Sequence, residues 1–260
     1  MPKKNTTKLF KSLDEHIEET TSLTWEGTLR DYIKLVVKSP EVHMNAHSRT
    51  LRMIESAGIV RNEDGDIEEY SFFANDLFGI NESIGEIMSY LRAAAAGSEV
   101  SRRILLLYGP TSSGKSQLAV LLKRGLEEFT RTDAGTVYCL TNSPMFEDPL
   151  CAIPHKLRGQ FLSDYGIKID GQLSPYMELM LKENHDGDFL ELPVSRVCFS
   201  EQSRVGIGTF VPSDKKSQDI SELVGSMDLS KIGEFGSESD PRAYRFDGEL
   251  NIANRGLMEF

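Results

Sequence analysis

Arg102–Phe129 reads RRILLLYGPTSSGKSQLAVLLKRGLEEF, and the reading of this stretch decides the fold. Its centre, Gly109-Pro110-Thr111-Ser112-Ser113-Gly114-Lys115-Ser116, has the spacing G-x-x-x-x-G-K-[ST] of a phosphate-binding P-loop, the Walker A motif. Gly109 and Gly114 permit backbone conformations that a side chain forbids. The loop can then turn its N–H groups inward as a concave nest for anionic oxygens. Lys115 suits the β- and γ-phosphates as a point charge. The Ser116 hydroxyl suits an Mg²⁺ shell otherwise made of waters and phosphate oxygens. Gln117 follows in the first turn of a helix whose positive end faces the phosphates. ATP and Mg²⁺ are therefore the expected ligands, with Gly109 to Gln117 as the binding stretch and Ser116 as the metal ligand.

The flanks strengthen the motif. Ile104-Leu105-Leu106-Leu107-Tyr108 is a wholly apolar run, as expected of a buried parallel strand. Leu118, Leu121, Leu122, Leu126 and Phe129 recur at helical spacing. Strand, glycine loop and helix stand in the required order. A glycine/serine turn that matched by accident would leave both flanks unexplained.

The bulk composition narrows the function classes. With 260 residues and 39% hydrophobic content, the chain suits one large domain, or one domain with an appendage. The net charge of −11, from 40 acidic and 29 basic residues, repels phosphate backbones and disfavours nucleic acid as a partner. Cys139, Cys151 and Cys198 are widely spaced with no CxxC pair, which argues for a reducing cytoplasm and against a disulfide framework or zinc site. No apolar run approaches the length of a membrane span, and the first residues lack the apolar core of a secretion signal.

Met1 to Asn5 reads as a frayed end. Helical faces follow at Leu9, Phe10, Leu13 and Ile17, and again at Leu29, Tyr32, Ile33, Val36 and Val37. A further helix is expected over Asn45 to Ser56. His43 and His47 are four apart, a metal-pair spacing without an evident third ligand, so core or surface histidines are the plainer reading. Arg61 to Glu69 lacks the spacing of a calcium loop and reads as a solvated acidic linker. After the P-loop helix, Thr136 to Leu140 reads as a second strand and Met145 to about Arg158 as an irregular surface loop with a short helix. Ser174 to Asn184 reads as a helix, and Val194 to Val211, with Gly206 and Gly208, as a hairpin or bulged strand pair. Gln218 to Val224 and Leu229 to Phe235 read as helices. Ile252 to Phe260 reads as a turn entering a new apolar strand, so a longer protein is expected.

Several stretches outside the P-loop resemble the PrkA family of bacterial serine protein kinases, in its N-terminal AAA+-type ATPase region. They are Leu77-Phe78-Gly79 with the helix that follows it, Gln218-Asp219-Ile220-Ser221-Glu222-Leu223-Val224-Gly225 with Met227-Asp228, Asp240-Pro241-Arg242-Ala243-Tyr244, and Ala253-Asn254-Arg255-Gly256-Leu257-Met258-Glu259-Phe260. The resemblance implies an α/β P-loop NTPase of AAA+ type, a parallel sheet flanked by helices with a helical N-terminal segment. Residues 1–69 would form that segment with its acidic linker, and 70–260 an ATPase core cut short at its C-terminal end. It also implies that Phe78 and Gly79 line the adenine pocket, beside the alternative that Phe78 is an ordinary core aromatic. Glu259 falls in the wrong register for the water-activating carboxylate, which the resemblance places beyond Phe260. Assembly as a ring is implied by resemblance alone.

The sequence contains neither H-R-D-x-x-x-x-N nor D-F-G, so this stretch is not an ordinary protein-kinase fold. Two main readings follow. In the first, the chain is the ATP/Mg²⁺-binding module of a PrkA-like kinase that transfers phosphate to serine of a protein substrate. In the alternative, ATP hydrolysis drives protein remodelling or ATP-dependent proteolysis. A nucleotide-gated assembly module with little turnover is a third reading.

Overall fold

The computed structural model describes residues 10–11, 13–14, 21, 23–212, 220–237 and 239–260. The expectations on Met1 to Asn5, on Leu9 and Ile17, and on Gln218-Asp219 lie outside the described residues. In chain order the elements are β1 (Glu26–Thr28), α1 (Leu29–Lys38), α2 (Ala46–Ser56), β2 (Ile59–Arg61), β3 (Ile67–Tyr70), α3 (Asn81–Ala95), α4 (Lys115–Arg131), β4 (Val137–Leu140), α5 (His155–Tyr165), α6 (Pro175–His185), β5 (Pro193–Val197), β6 (Ile207–Thr209), α7 (Ser221–Val224), β7 (Ser226–Met227), α8 (Leu229–Phe235), β8 (Tyr244–Arg245), α9 (Glu249–Ile252) and β9 (Leu257–Glu259).

The helices begin where local chemistry says they should. Thr28 and Asp31 form a reciprocal capping box on α1. Asn45 accepts from the Ser48 N–H at 2.7 Å to start α2. Ser174 caps α6, with Pro175 in its first turn. Two apolar clusters then hold the elements together. The first joins Met53 and Ile54 of α2, Ile84, Ile87, Met88 and Leu91 of α3, and Leu118, Leu122, Leu126 and Phe129 of α4. Each such side chain contributes about 1.5–3 kcal/mol by leaving water. The second joins Leu29, Tyr32 and Val36 of α1 to Tyr138 and Leu140 of β4 and Val194 of β5. Strand β4 runs between the two, with Val137 in the first cluster and its next neighbour Tyr138 in the second. That is what alternation along a strand allows.

The chain is α/β, but its strand pairing differs from the expected parallel sheet. The largest sheet is antiparallel, in the order β1-β5-β4. The parallel pair among the described residues is β6 with β9, in which Ile207, Gly208 and Thr209 oppose Leu257, Met258 and Glu259. Ile104 to Tyr108 is neither buried nor paired: Ile104, Leu106 and Tyr108 are 82%, 80% and 95% exposed. An apolar run becomes a strand only when a neighbour supplies the ladder, and here neither the free edge of β4 nor that of β6 or β9 is paired with it. Leu107 alone leans onto the first cluster.

Three further expectations are corrected. Arg61 to Glu69 is a turn with strands on either side rather than a linker: β2 and β3 pair, the Asn62 side chain closes the turn on the Asp66 N–H at 2.9 Å, and Tyr70 anchors it in the core. Val194 to Val211 is not a hairpin, because β5 joins β4 and β1 while β6 joins β9; a single Ser200–Val205 bridge closes the turn between them. Met145 to Arg158 contains the short helical piece expected of it, at Pro149–Ala152, but is not a surface loop throughout, since Leu150 and Ile153 are buried in the second cluster. Among the described residues, no helix is long and apolar enough to cross a membrane.

Candidate functional site: the P-loop and its surroundings

One of the two loop glycines takes the backbone expected of it, and Gly109 is not left-handed. Gly114 sits at φ +85°, and Ser112 also takes a left-handed conformation, at φ +63°. A methyl on Gly114 would come within 3.2 Å of Leu77 Cδ2, so the glycine also allows residue 77 to abut the loop. Helix α4 starts at Lys115 with no side-chain cap. No side-chain oxygen therefore competes for its opening N–H groups, which carry the positive end of the helix dipole. The other end is closed: the Arg196 guanidinium from β5 donates to the carbonyls of Arg131 (2.9 Å) and Thr132 (3.2 Å), where a cation favours the dipole.

Lys115 folds back over its own loop. Its ammonium donates to the Gly109 carbonyl at 3.0 Å, to Ser113 Oγ at 3.0 Å and to the Pro110 carbonyl. The charge is therefore held by neutral oxygens of a flexible loop, partners that a phosphate can outcompete. Ser116 is exposed at the start of α4, free of any fixed ionic partner. Gln117 donates to Asp76 at 3.3 Å, which ties the segment before α3 to the mouth of the loop. Phe78 follows directly, 78% exposed, so it is not a core aromatic; Gly79 beside it is at φ +72°. The structure thus brings Gly109 to Gln117 together with the Asp76–Gly79 segment. The donor set, with a lysine, a hydroxyl, open helix N–H groups and a left-handed glycine, fits a triphosphate with Mg²⁺.

Two groups of residues escaped the sequence reading. Lys123, on the side of α4, meets Glu201 at 2.8 Å and Glu259 at 2.7 Å. A second cluster sits where α2, β4 and the turn before β9 meet. Arg49 is fully buried and donates to the carbonyls of Arg255 (3.0 Å) and Met44 (3.1 Å). Arg255, at φ +65°, donates to the Tyr138 carbonyl and pairs with Asp148 at 3.3 Å. His43 Nδ1 faces the same carboxylate at 3.1 Å, while its Nε2 faces the Lys168 carbonyl at 3.2 Å. Both ring nitrogens therefore face acceptors, which suits the imidazolium. Burial alone would lower the His43 pKa, but Asp148 more than offsets it and holds the ring above its ordinary value. Burial alone would raise the Asp148 pKa, but Arg255 and then His43 hold the carboxyl well below the usual range. His47 belongs to neither site; it stands on α2 with its ring 6.0 Å from that of Tyr90.

Comparison with known proteins shows the family. Residues 27–260 match the family described as the PrkA AAA domain. A relative from Bacillus subtilis, named ATP-dependent protease PrkA, is 51% identical over 253 residues, covering 97% of this chain and 40% of the relative. A relative from Escherichia coli, named serine/threonine kinase YeaG, is 31% identical over 253 residues, covering 90% of this chain and 38% of the relative. The chain thus spans about two fifths of the length of these relatives. No solved structure matches it.

Proposed function

The chain belongs to the PrkA AAA-domain family, and from that premise we propose that it is an ATP- and Mg²⁺-binding module whose P-loop positions the triphosphate for phosphoryl transfer to serine of a protein substrate. The observation that supports the nucleotide-binding step is the Lys115 ammonium resting on the loop's own carbonyls beside an uncapped helix start. A triphosphate entering the nest takes over that ammonium and the opening N–H groups of α4. Ser116 holds Mg²⁺, which neutralises phosphate charge. Fixing and neutralising the γ-phosphoryl is most of what a protein contributes to its transfer. Phe78 and Gly79, which follow the Asp76 that bonds Gln117, are the residues proposed to meet adenine. We place the protein in the cytoplasm, consistent with its free cysteines, and as a ring-forming subunit, following the family resemblance.

A second reading has its own support: the more similar relative is named an ATP-dependent protease. There the same site hydrolyses ATP to drive work on proteins, and no phosphoserine forms. Both readings share the binding step and differ in where the γ-phosphate goes. The full-length protein given γ-labelled ATP separates them. Label on protein serine, lost in Lys115→Ala, supports the kinase. Label released only as free phosphate, and faster with unfolded protein, supports the motor.

A further inference from the structure

Lys123 sits eight residues beyond Lys115 on α4, about 12 Å along the same rigid helix at 1.5 Å per residue. Its side chain is 10% exposed. The ammonium has three donors and meets three oxygens: Glu259 at 2.7 Å, Glu201 at 2.8 Å and Thr209 Oγ1 at 3.2 Å. Thr209 in turn donates to Glu201 at 2.7 Å. Thr209 and Glu259 are register partners at the carboxyl ends of the parallel pair β6 and β9. In open α/β folds, ligands gather beyond the carboxyl ends of parallel strands.

The Lys123 side chain is 10% exposed while Glu201 and Glu259 keep 45% and 31% of theirs, so an apolar residue at position 123 would pack against the strand pair without an ammonium to desolvate. The ion cluster therefore does something that packing alone would not: it fixes one register and one distance between helix and strands. We propose that Lys123 is a positioning residue for the reaction at the P-loop, clamping the carboxyl ends of β6 and β9 to the helix that carries the phosphate site. The inference rests on the nucleotide reading above. Misplacement by about 1 Å can cost on the order of a hundredfold in rate. Loosening the clamp therefore slows chemistry while leaving the binding loop, a dozen ångströms away, intact.

The test uses the full-length protein. The variants are Lys123→Met, Lys123→Arg, and the triple Lys123→Met/Glu201→Gln/Glu259→Gln, which removes the charges together and leaves no carboxylate unpaired. Two quantities are measured: the Kd for ATP, and the single-turnover rate at which labelled γ-phosphate leaves ATP, whether transferred or released. The expected result is a Kd within about threefold of wild type and a rate at least about tenfold lower in Lys123→Met and in the triple variant, with Lys123→Arg in between. A folded triple variant that turns over at the wild-type rate overturns the proposal. So does a parallel loss of affinity and rate, or unfolding of the triple variant, because either describes a purely structural brace. The underlying reading fails separately, and takes the inference with it, if wild type does not bind ATP or if Lys115→Ala binds it as well as wild type does.

Discussion

Two of the cationic centres, at Lys115 and at Arg49 with Arg255, are held in opposite ways. Lys115 lies in an open loop, and its partners Gly109, Pro110 and Ser113 are at most six residues away. Arg49 is fully buried and donates both to the Met44 carbonyl, five residues away, and to the Arg255 carbonyl, 206 residues away. At the loop the partners are neutral oxygens that an incoming anion displaces. At the junction Arg255 and His43 share a fixed carboxylate, Asp148, that cannot leave. A charge meant for a ligand is satisfied by replaceable groups, whereas a charge meant for architecture is satisfied by permanent ones.

That contrast can be broken at several points. The largest effect is expected from Asp148→Asn, which strands Arg255 and His43 in a buried site and costs about 3–5 kcal/mol in chemical denaturation. A cost below about 1 kcal/mol would put the junction in the class of exposed pairs. Gly256→Ala comes next. Its methyl would fall 1.7 Å from the Gly206 carbonyl oxygen, so β6 and β9 must separate at their start, at a cost of about 3 kcal/mol in the same assay. Lys115→Ala should weaken ATP binding by about a hundredfold, or 2.8 kcal/mol by the rule of about 1.4 per tenfold, while shifting Tm by less than about 2 °C. A large loss of stability there would erase the distinction between the two centres.

The smallest effect is the pH dependence of the junction. The folded pKa of His43 is raised, so its contribution is fully present below the unfolded value of about 6.5 and is lost as pH rises through the folded value. Asp148 behaves oppositely: its folded pKa is depressed, so its contribution is present above about 3.9 and is lost as pH falls. Denaturant midpoints between about pH 6 and pH 9 should therefore decline in wild type and flatten in His43→Gln. An unchanged slope in that variant would mean that His43 carries no charge in the folded protein.

The loop was legible because P-loop chemistry is written in eight consecutive residues, and the helices because their caps and periodicities are local. Thr28, Asn45 and Ser174 each announce a helix start from within three residues. Strand partners were not legible. Ile104 to Tyr108 reads as a strand from composition, but pairing depends on distant segments, and β6 finds its neighbour some fifty positions away in Leu257 to Glu259. Asp148 was hidden for the same reason: a carboxylate in a proline-bearing stretch looks solvated until Arg255 and His43 are seen around it. Lys123 carries no local signal of its role, and only the fold brings Glu201 and Glu259 to it.

The left-handed backbone at Arg255 has a consequence for how this sequence can change. A non-glycine residue at φ +65° carries a conformational cost of about 1–2 kcal/mol, which a glycine there would relieve. Yet glycine would abandon Asp148 and the Tyr138 carbonyl, and lysine lacks the planar fork that reaches both. Every single step away from arginine thus trades one defect for another. The position can drift only if residue 148 changes with it, so the two should behave as an epistatic pair: deleterious apart, partly restored together.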